Sequence, residues 1–151
     1  MAIQQVHHAD TSSSKVLGQL RGKRVLITGT TGFLGKVVLE KLIRAVPDIG
    51  AIYLLIRGNK RHPDARSRFL EEIATSSVFD RLREADSEAF DAFLEERIHC
   101  VTGEVTEAGF GIGQEDYRKL ATELDAVINS AASVNFREEL DKALAINTLC
   151  L

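Results

Sequence analysis

Two cysteines are all the chain contains, Cys100 and Cys150, and they lie far apart in sequence. They form neither a metal-ligand nor a redox spacing, which excludes a disulfide framework, a cysteine zinc centre and a Cys-x-x-Cys reductant as organising features. Both read as buried thiols of a reducing compartment. No apolar run approaches the ~20 residues that cross a bilayer. The polar start from Met1 to Gln19, with His7, His8 and Asp10, lacks the apolar core of a signal peptide. The expected location is therefore the cytoplasm. Positive charge is not in excess either: 19 Lys and Arg against 22 Asp and Glu leave a net charge of −3, which argues against a nucleic-acid partner. No metal is expected, and no internal repeat or low-complexity tract is evident.

What is present suits one globular domain. The 151 residues are 44% hydrophobic and 27% charged, enough for a real core. Four apolar runs read as strands: Arg24–Thr28, Ala51–Arg57, Arg97–Thr102 and Asp125–Ser130. Helical patterns alternate with them over Phe33–Val46, which stops before Pro47, then Gln114–Leu124 and Phe136–Leu151. Strands apolar throughout, separated by helices, predict an α/β fold with a parallel sheet covered on both faces. Right-handed crossovers give it the strand order 3-2-1-4, the first part of a Rossmann-type doubly wound sheet.

Two features interrupt the alternation. The link between strands two and three is too long for one helix and should be a helical insertion over about residues 59–96. Its charge is polarised. Residues 57–68 carry five basic residues against Asp64, whereas residues 71–96 carry nine acidic residues against Arg81 and Arg83. The acidic half reads as solvated helices anchored by Leu70, Ile73, Phe79, Leu82, Phe90, Phe93 and Leu94. The second feature is the end of the chain, where Ala145–Leu151 runs helical and apolar without Gly, Pro or a basic last turn. A helix without a stop signal predicts continuation into a longer protein.

The chemistry begins after strand one, at Thr28-Gly29-Thr30-Thr31-Gly32-Phe33-Leu34-Gly35. A strand, a glycine turn and a helix build a phosphate cradle from turn N–H groups and the positive helix end. Gly29 allows the tight turn, Gly32 removes a side chain where a pyrophosphate would sit, and Gly35 lets helix and strand approach. The spacing is Gly-x-x-Gly-x-x-Gly rather than Gly-x-Gly-x-x-Gly, which separates one dinucleotide-binding superfamily from another. The residue closing strand two selects the dinucleotide. A carboxylate there would bond a ribose 2′-hydroxyl; Arg57 instead offers charge-assisted contact to a 2′-phosphate, which implies NADP(H). Lys60, Arg61, Arg66 and Arg68 could close over the same phosphate, a solvated basic loop being the alternative for each. Small residues end strands three and four, in Gly103-Glu104-Val105-Thr106 and Asn129-Ser130-Ala131-Ala132-Ser133. They leave room for a ligand at the switch point.

These motifs together resemble the extended short-chain dehydrogenase/reductase superfamily. The wording from Lys23 to Lys36, Tyr-Leu-Leu-Ile-Arg at 53–57 and the insertion around Arg68-Phe69 and Val78-Phe79-Asp80 resemble fatty acyl-CoA reductases, the bacterial alcohol-forming type above all. The likeness covers nearly the whole chain. It implies that Gly29, Thr30, Thr31, Gly32, Phe33, Leu34 and Gly35 surround the pyrophosphate, and that Arg57 meets the 2′-phosphate. It implies that Glu104 and Val105 lie by the adenine, with Glu104 standing where the superfamily more often has Asp, and that Ala131 and Ala132 pack near a ribose. Asn147 matches an asparagine that supports a catalytic water or lysine in relatives; a plain helix asparagine is the alternative.

The family's chemistry needs Tyr-x-x-x-Lys, and neither tyrosine fits: Tyr53 is followed by Arg57 and Tyr117 by Ala121. The expected organisation is a polar tail over 1–20 and an incomplete NADP-binding domain over 21–151. The catalytic pair and the substrate domain are expected beyond Leu151, so this piece alone should be inactive. The full-length function implied is reduction of an acyl-CoA thioester to a fatty aldehyde and on to the alcohol, with acyl-CoA and aldehyde as partners. Two alternatives stand: a thioester reductase domain of the carboxylic acid reductase or peptide synthetase type, and a non-catalytic NADP(H) sensor.

Overall fold

A computed structural model describes residues 15–149; residues 1–14, Cys150 and Leu151, with the expectations that fall on them, lie outside the described residues. Four parallel strands form one sheet: β1 (Arg24–Thr28), β2 (Ala51–Ile56), β3 (Ile98–Thr102) and β4 (Ala126–Asn129), in the order β3-β2-β1-β4. This is the predicted 3-2-1-4 arrangement. Each strand matches its apolar run to within one residue at either end. In the two central strands Val25, Leu26, Ile27, Ile52, Leu54 and Leu55 are all buried, so both faces of the sheet's middle are covered.

The first crossover is α2 (Phe33–Ala45), whose Leu39, Leu42 and Ile43 are buried against the sheet. It ends where Val46 precedes Pro47, a position that disfavours helical backbone. A short α1 (Lys15–Gln19) precedes β1. Its Leu17, and Leu20 just after it, pack against the core.

The long link is helical: α3 (Ala65–Arg68) runs into a π turn at Phe69–Ile73, followed by a 3-10 turn at Ser77–Phe79, α4 (Asp80–Ala85) and α5 (Ser87–Arg97). Asp64 and Asp86 cap the N-termini of α3 and α5 by accepting hydrogen bonds from Ser67 N and Ala89 N. The insertion is more deeply built into the domain than a solvated appendage. Phe69, Ile73, Phe79, Phe90 and Leu94 join the main core, while Leu70, expected as an anchor, is 43% exposed. Phe69 lies four residues after the buried Ala65 and four before the buried Ile73, so one helix face carries all three inward and leaves Leu70 outside.

The second face is less covered than predicted. α6 (Gln114–Glu123) lies over it, but Val127 on β4 is 48% exposed. α7 (Leu140–Asn147) begins four residues later than its apolar pattern suggests. Asn135 holds that stretch in a turn, its side-chain oxygen accepting from Arg137 N and its carbonyl from Glu138 N. The helix stops at Asn147, with Thr148 as its C-cap. Cys100 is only partly buried; burial, the largest cause, pushes its thiol pKa up, and the nearby Arg66 opposes the shift.

Candidate dinucleotide site

The carboxyl ends of all four strands meet at one cleft of about 250 Å3. Thr28 joins two of them. Its hydroxyl bonds the Asn129 side chain and accepts from Ala131 N, and its carbonyl accepts from Ser130 Oγ at 2.7 Å. The loop after β4 is thereby drawn hard against the glycine turn. Gly29 has φ +74°, and a Cβ there would lie 2.5 Å from Ser130 C and Ala131 N. A Cβ at Gly35 would collide with the Gly29 carbonyl. These two glycines are required by the protein's own packing.

Gly32 differs. Its backbone is extended, at φ −84° and ψ 170°, and a Cβ would meet only Gly29 O, at 3.3 Å. It lines the cleft and is the N-cap of α2, so no side chain satisfies that helix's first N–H groups. In the same turn the Thr30 hydroxyl is buried without a hydrogen-bond partner. A bare helix end, a missing side chain and an open cleft beside them fit a bound diphosphate.

The rest of the cleft comes from the other strands. Thr31 lies on one wall, Arg57, Glu104 and Val105 on another, and Ala131 and Ala132 on a third. Thr30 and Gly35, expected at the pyrophosphate, are buried and do not line the cleft. Phe33 and Leu34 open the helix with side chains 78% and 61% exposed, outside the cleft lining.

Of the basic residues after β2, Arg68 alone joins Arg57 in the cleft. Its Nη1 donates to Arg57 O at 2.6 Å and its Nε to Glu72 Oε2 at 2.8 Å. Asn59 also donates to Glu72, and Arg68 first, then Asn59, holds the Glu72 carboxyl below the ordinary carboxylate range. The other cations turn elsewhere. Arg66 lies over the Phe69 ring, Arg61 is 3.7 Å from Glu71, and Lys60 is exposed. Nothing in a run of basic residues distinguishes Arg68; only the helical phase set by the Asp64 cap does.

Two residues have partners that the sequence left open. Glu104 Oε2 accepts from Arg57 Nη1 at 3.0 Å, which pairs the acidic and basic walls of the cleft. Asn147 clasps the main chain of Ser133: Ser133 N donates to its Oδ1 at 2.8 Å and its Nδ2 donates to Ser133 O at 3.1 Å. Gly103 and Ser130, from the small-residue ends of strands three and four, also line the cleft, as does Ile146, which had no motif to mark it. Among the described residues the cleft lining contains no tyrosine, histidine or lysine. Tyr53 instead stacks on His99 and donates to Glu123 at 2.9 Å, its pKa raised first by burial and then by that carboxylate.

A parallel 3-2-1-4 sheet with a glycine turn at its switch point defines a Rossmann-like nucleotide-binding domain. The comparisons carry this further. Residues 27–151 match an NAD-binding family described as male sterility protein, and the chain belongs to that family. It is 38% identical over 133 residues to fatty acyl-CoA reductase 2, chloroplastic, of Arabidopsis thaliana, covering 88% of this chain and 21% of that protein. It is 39% identical over 129 residues to fatty acyl-CoA reductase 1 of Gallus gallus, covering 85% and 24%. Among solved structures, the terminal R domain of the myxalamid PKS-NRPS pathway superposes with a TM-score of 0.64 at 27% identity, covering 85% of this chain and 29% of that one. A thiolation-reductase di-domain from an archaeal non-ribosomal peptide synthetase superposes at 0.59 with 30% identity, covering 87% and 24%. The chain thus spans under a quarter of the length of these curated relatives.

Proposed function

We propose that this chain is the NADP(H)-holding part of a fatty acyl-CoA reductase. The observation that carries the reading is the cleft itself, with a bare helix end at Gly32 on one side and the Arg57–Arg68 pair on the other. In this reading the glycine turn and the N-terminus of α2 take the pyrophosphate, and Ala131 and Ala132 leave space for a ribose. Arg57 meets the 2′-phosphate, with Arg68 buttressing it through the Arg57 carbonyl. Val105 borders the adenine. Asn147 fixes the loop after β4 by holding Ser133, and so positions the cleft wall. The bound cofactor supplies hydride, and the complete protein would deliver it to a thioester carbonyl, expelling CoA and reducing the aldehyde again to the alcohol. The general acid for that chemistry, a tyrosine with its lysine, lies in the remainder of the protein, as does the substrate domain, and the piece alone is inactive.

Cytoplasmic location belongs to the same proposal. Among the described residues no helix is long and apolar enough to cross a membrane, and one similar reductase is named as chloroplastic. A second reading, a thioester reductase acting on a carrier-tethered acyl group, is favoured by the R-domain superpositions. Turnover of acyl-CoA against a carrier-bound thioester by the intact protein separates the two. The cofactor assignment is tested by dissociation constants for NADPH and NADH. Arg57→Ala should cost about 1.5–3 kcal/mol in NADPH binding, the range for hydrogen bonds to charged groups, with little change for NADH. Equal losses for both would refute it.

A further inference from the structure

The arginine that faces the cleft is not free. Arg57 Nη1 is 3.0 Å from Glu104 Oε2, and the two side chains differ in setting: Arg57 is 73% exposed and Glu104 only 21%. The carboxylate is the fixed member of the pair. Glu104 N donates to Phe110 O at 2.9 Å, Glu107 N returns to Glu104 O at 3.1 Å, and Phe110 N closes the loop onto Glu107 O at 2.9 Å. Phe110 holds left-handed backbone at φ +60° within that loop, a conformation that persists only where surroundings over-determine it. A Cβ on the preceding Gly103 would lie 2.5 Å from Phe110 O, so the loop is packed against the end of β3.

The consequence is a competition. A dianionic 2′-phosphate arriving at Arg57 must displace the carboxylate or sit beside it, and either costs electrostatic energy. A dinucleotide with a free 2′-hydroxyl meets the same carboxylate as a hydrogen-bond acceptor. In NAD-binding sheets that acceptor comes from the end of strand two; here the longer glutamate side chain reaches that place from strand three.

Resting on the cofactor reading above, we infer that Glu104 sets the preference between NADPH and NADH, competing with the 2′-phosphate for Arg57 and accepting from the 2′-hydroxyl when no phosphate is present. Glu104 is thus a specificity residue that tempers the NADPH selectivity Arg57 confers.

The test uses dissociation constants of NADPH and NADH for the intact protein carrying Glu104→Gln, Glu104→Asp, Arg57→Ala, or Arg57→Ala with Glu104→Gln. Glu104→Gln should raise the NADPH-over-NADH affinity ratio roughly three- to fivefold, the upper end of what a partly exposed ion pair is worth. Glu104→Asp, which withdraws the carboxylate by one methylene, should move the ratio the same way. In the Arg57→Ala background Glu104→Gln should raise the ratio by less than it does with Arg57 present, because only the competition for the arginine has been removed and the 2′-hydroxyl acceptor is still lost. A ratio that stays constant or falls in both single Glu104 variants overturns the inference while leaving Arg57 in its role. Arg57→Ala leaving NADPH binding untouched would overturn the cofactor reading itself, and the inference with it.

Discussion

At the residue scale the glycine turn separates two demands that one motif conflates. Gly29 is needed by the fold, because its φ of +74° and the adjacent Ser130–Ala131 backbone leave no place for a Cβ. Gly32, in the function proposed above, serves the ligand, because its backbone is extended, a Cβ there would meet only Gly29 O, and it lines the cleft. Gly29→Ala should therefore destabilise the protein by more than about 2 kcal/mol, left-handed backbone alone costing about 1–2 kcal/mol. Gly32→Ala should cost less than about 1 kcal/mol, a small capping loss, yet weaken dinucleotide binding. Thermal melts and cofactor titrations on both variants check this, and equal melting losses would remove the distinction. The turn's place was readable from its flanks. The separate purposes of its glycines were not, because the backbone that crowds Gly29 comes from a loop a hundred residues later.

At the scale of elements, the four strands were legible because each is an apolar run bounded by polar or glycine residues, and parallel central strands are buried on both faces. The insertion was legible as helical but not in its phase. Ala65, Phe69 and Ile73 follow one another at four-residue steps and are all buried, so the face through them puts Phe69 in the core and Leu70 at the surface. Phe69→Ala should cost about 3–5 kcal/mol and Leu70→Ala should fall within about 0.5 kcal/mol of wild type, as surface changes do. Denaturant midpoints measure both, and the reverse order would place the helix in the other phase. The start of α7 was misjudged because the Asn135 side chain offers the backbone a turn that competes with helix.

Ion pairs join these elements and give the fold an acid limit. Asp125, at the start of β4, accepts from Lys23 Nζ and Arg24 N, both at 2.8 Å, and these contacts lower its pKa. Asp64 is lowered by its cap bonds to Ser67, and Glu72 by Arg68. A carboxyl with a depressed folded pKa contributes its full stability above the unfolded value and loses it as pH falls through the folded one. Stability should thus be level near neutrality and decline below the ordinary carboxylate range. Asp125→Asn should shrink that decline and lower the neutral plateau, because a charge-assisted bond between β4 and the start of β1 is weakened. Unfolding midpoints across the acid range test the point, and an unchanged acid slope would count against it.

For the whole molecule, the question is what these residues can do by themselves. The curated relatives are several times as long, the chain covering 21% and 24% of the two compared above. The structure has an apolar face beside β4. Among the described residues β4 has a paired neighbour on one side only, β1. Val127 on its surface is 48% exposed, and Val134, Phe136, Leu140 and Leu149 beyond it are 81%, 102%, 74% and 72% exposed. An unprotected parallel edge beside this much apolar surface templates association. The other edge strand, β3, has α3 and α5 against it, and the exposed residues on it are the polar His99 and Thr102. Residues 1–151 produced alone should therefore self-associate, and the intact protein should not by this face. Sedimentation of the isolated residues over a range of concentrations reads the outcome directly. Adding Lys at Val127 and Phe136 together should suppress association without lowering the melting temperature by more than a few degrees, because neither side chain belongs to the core. A monomer at all concentrations that melts in one cooperative step would show that the four-stranded sheet is sufficient, and that the exposed face serves another purpose than completing the fold.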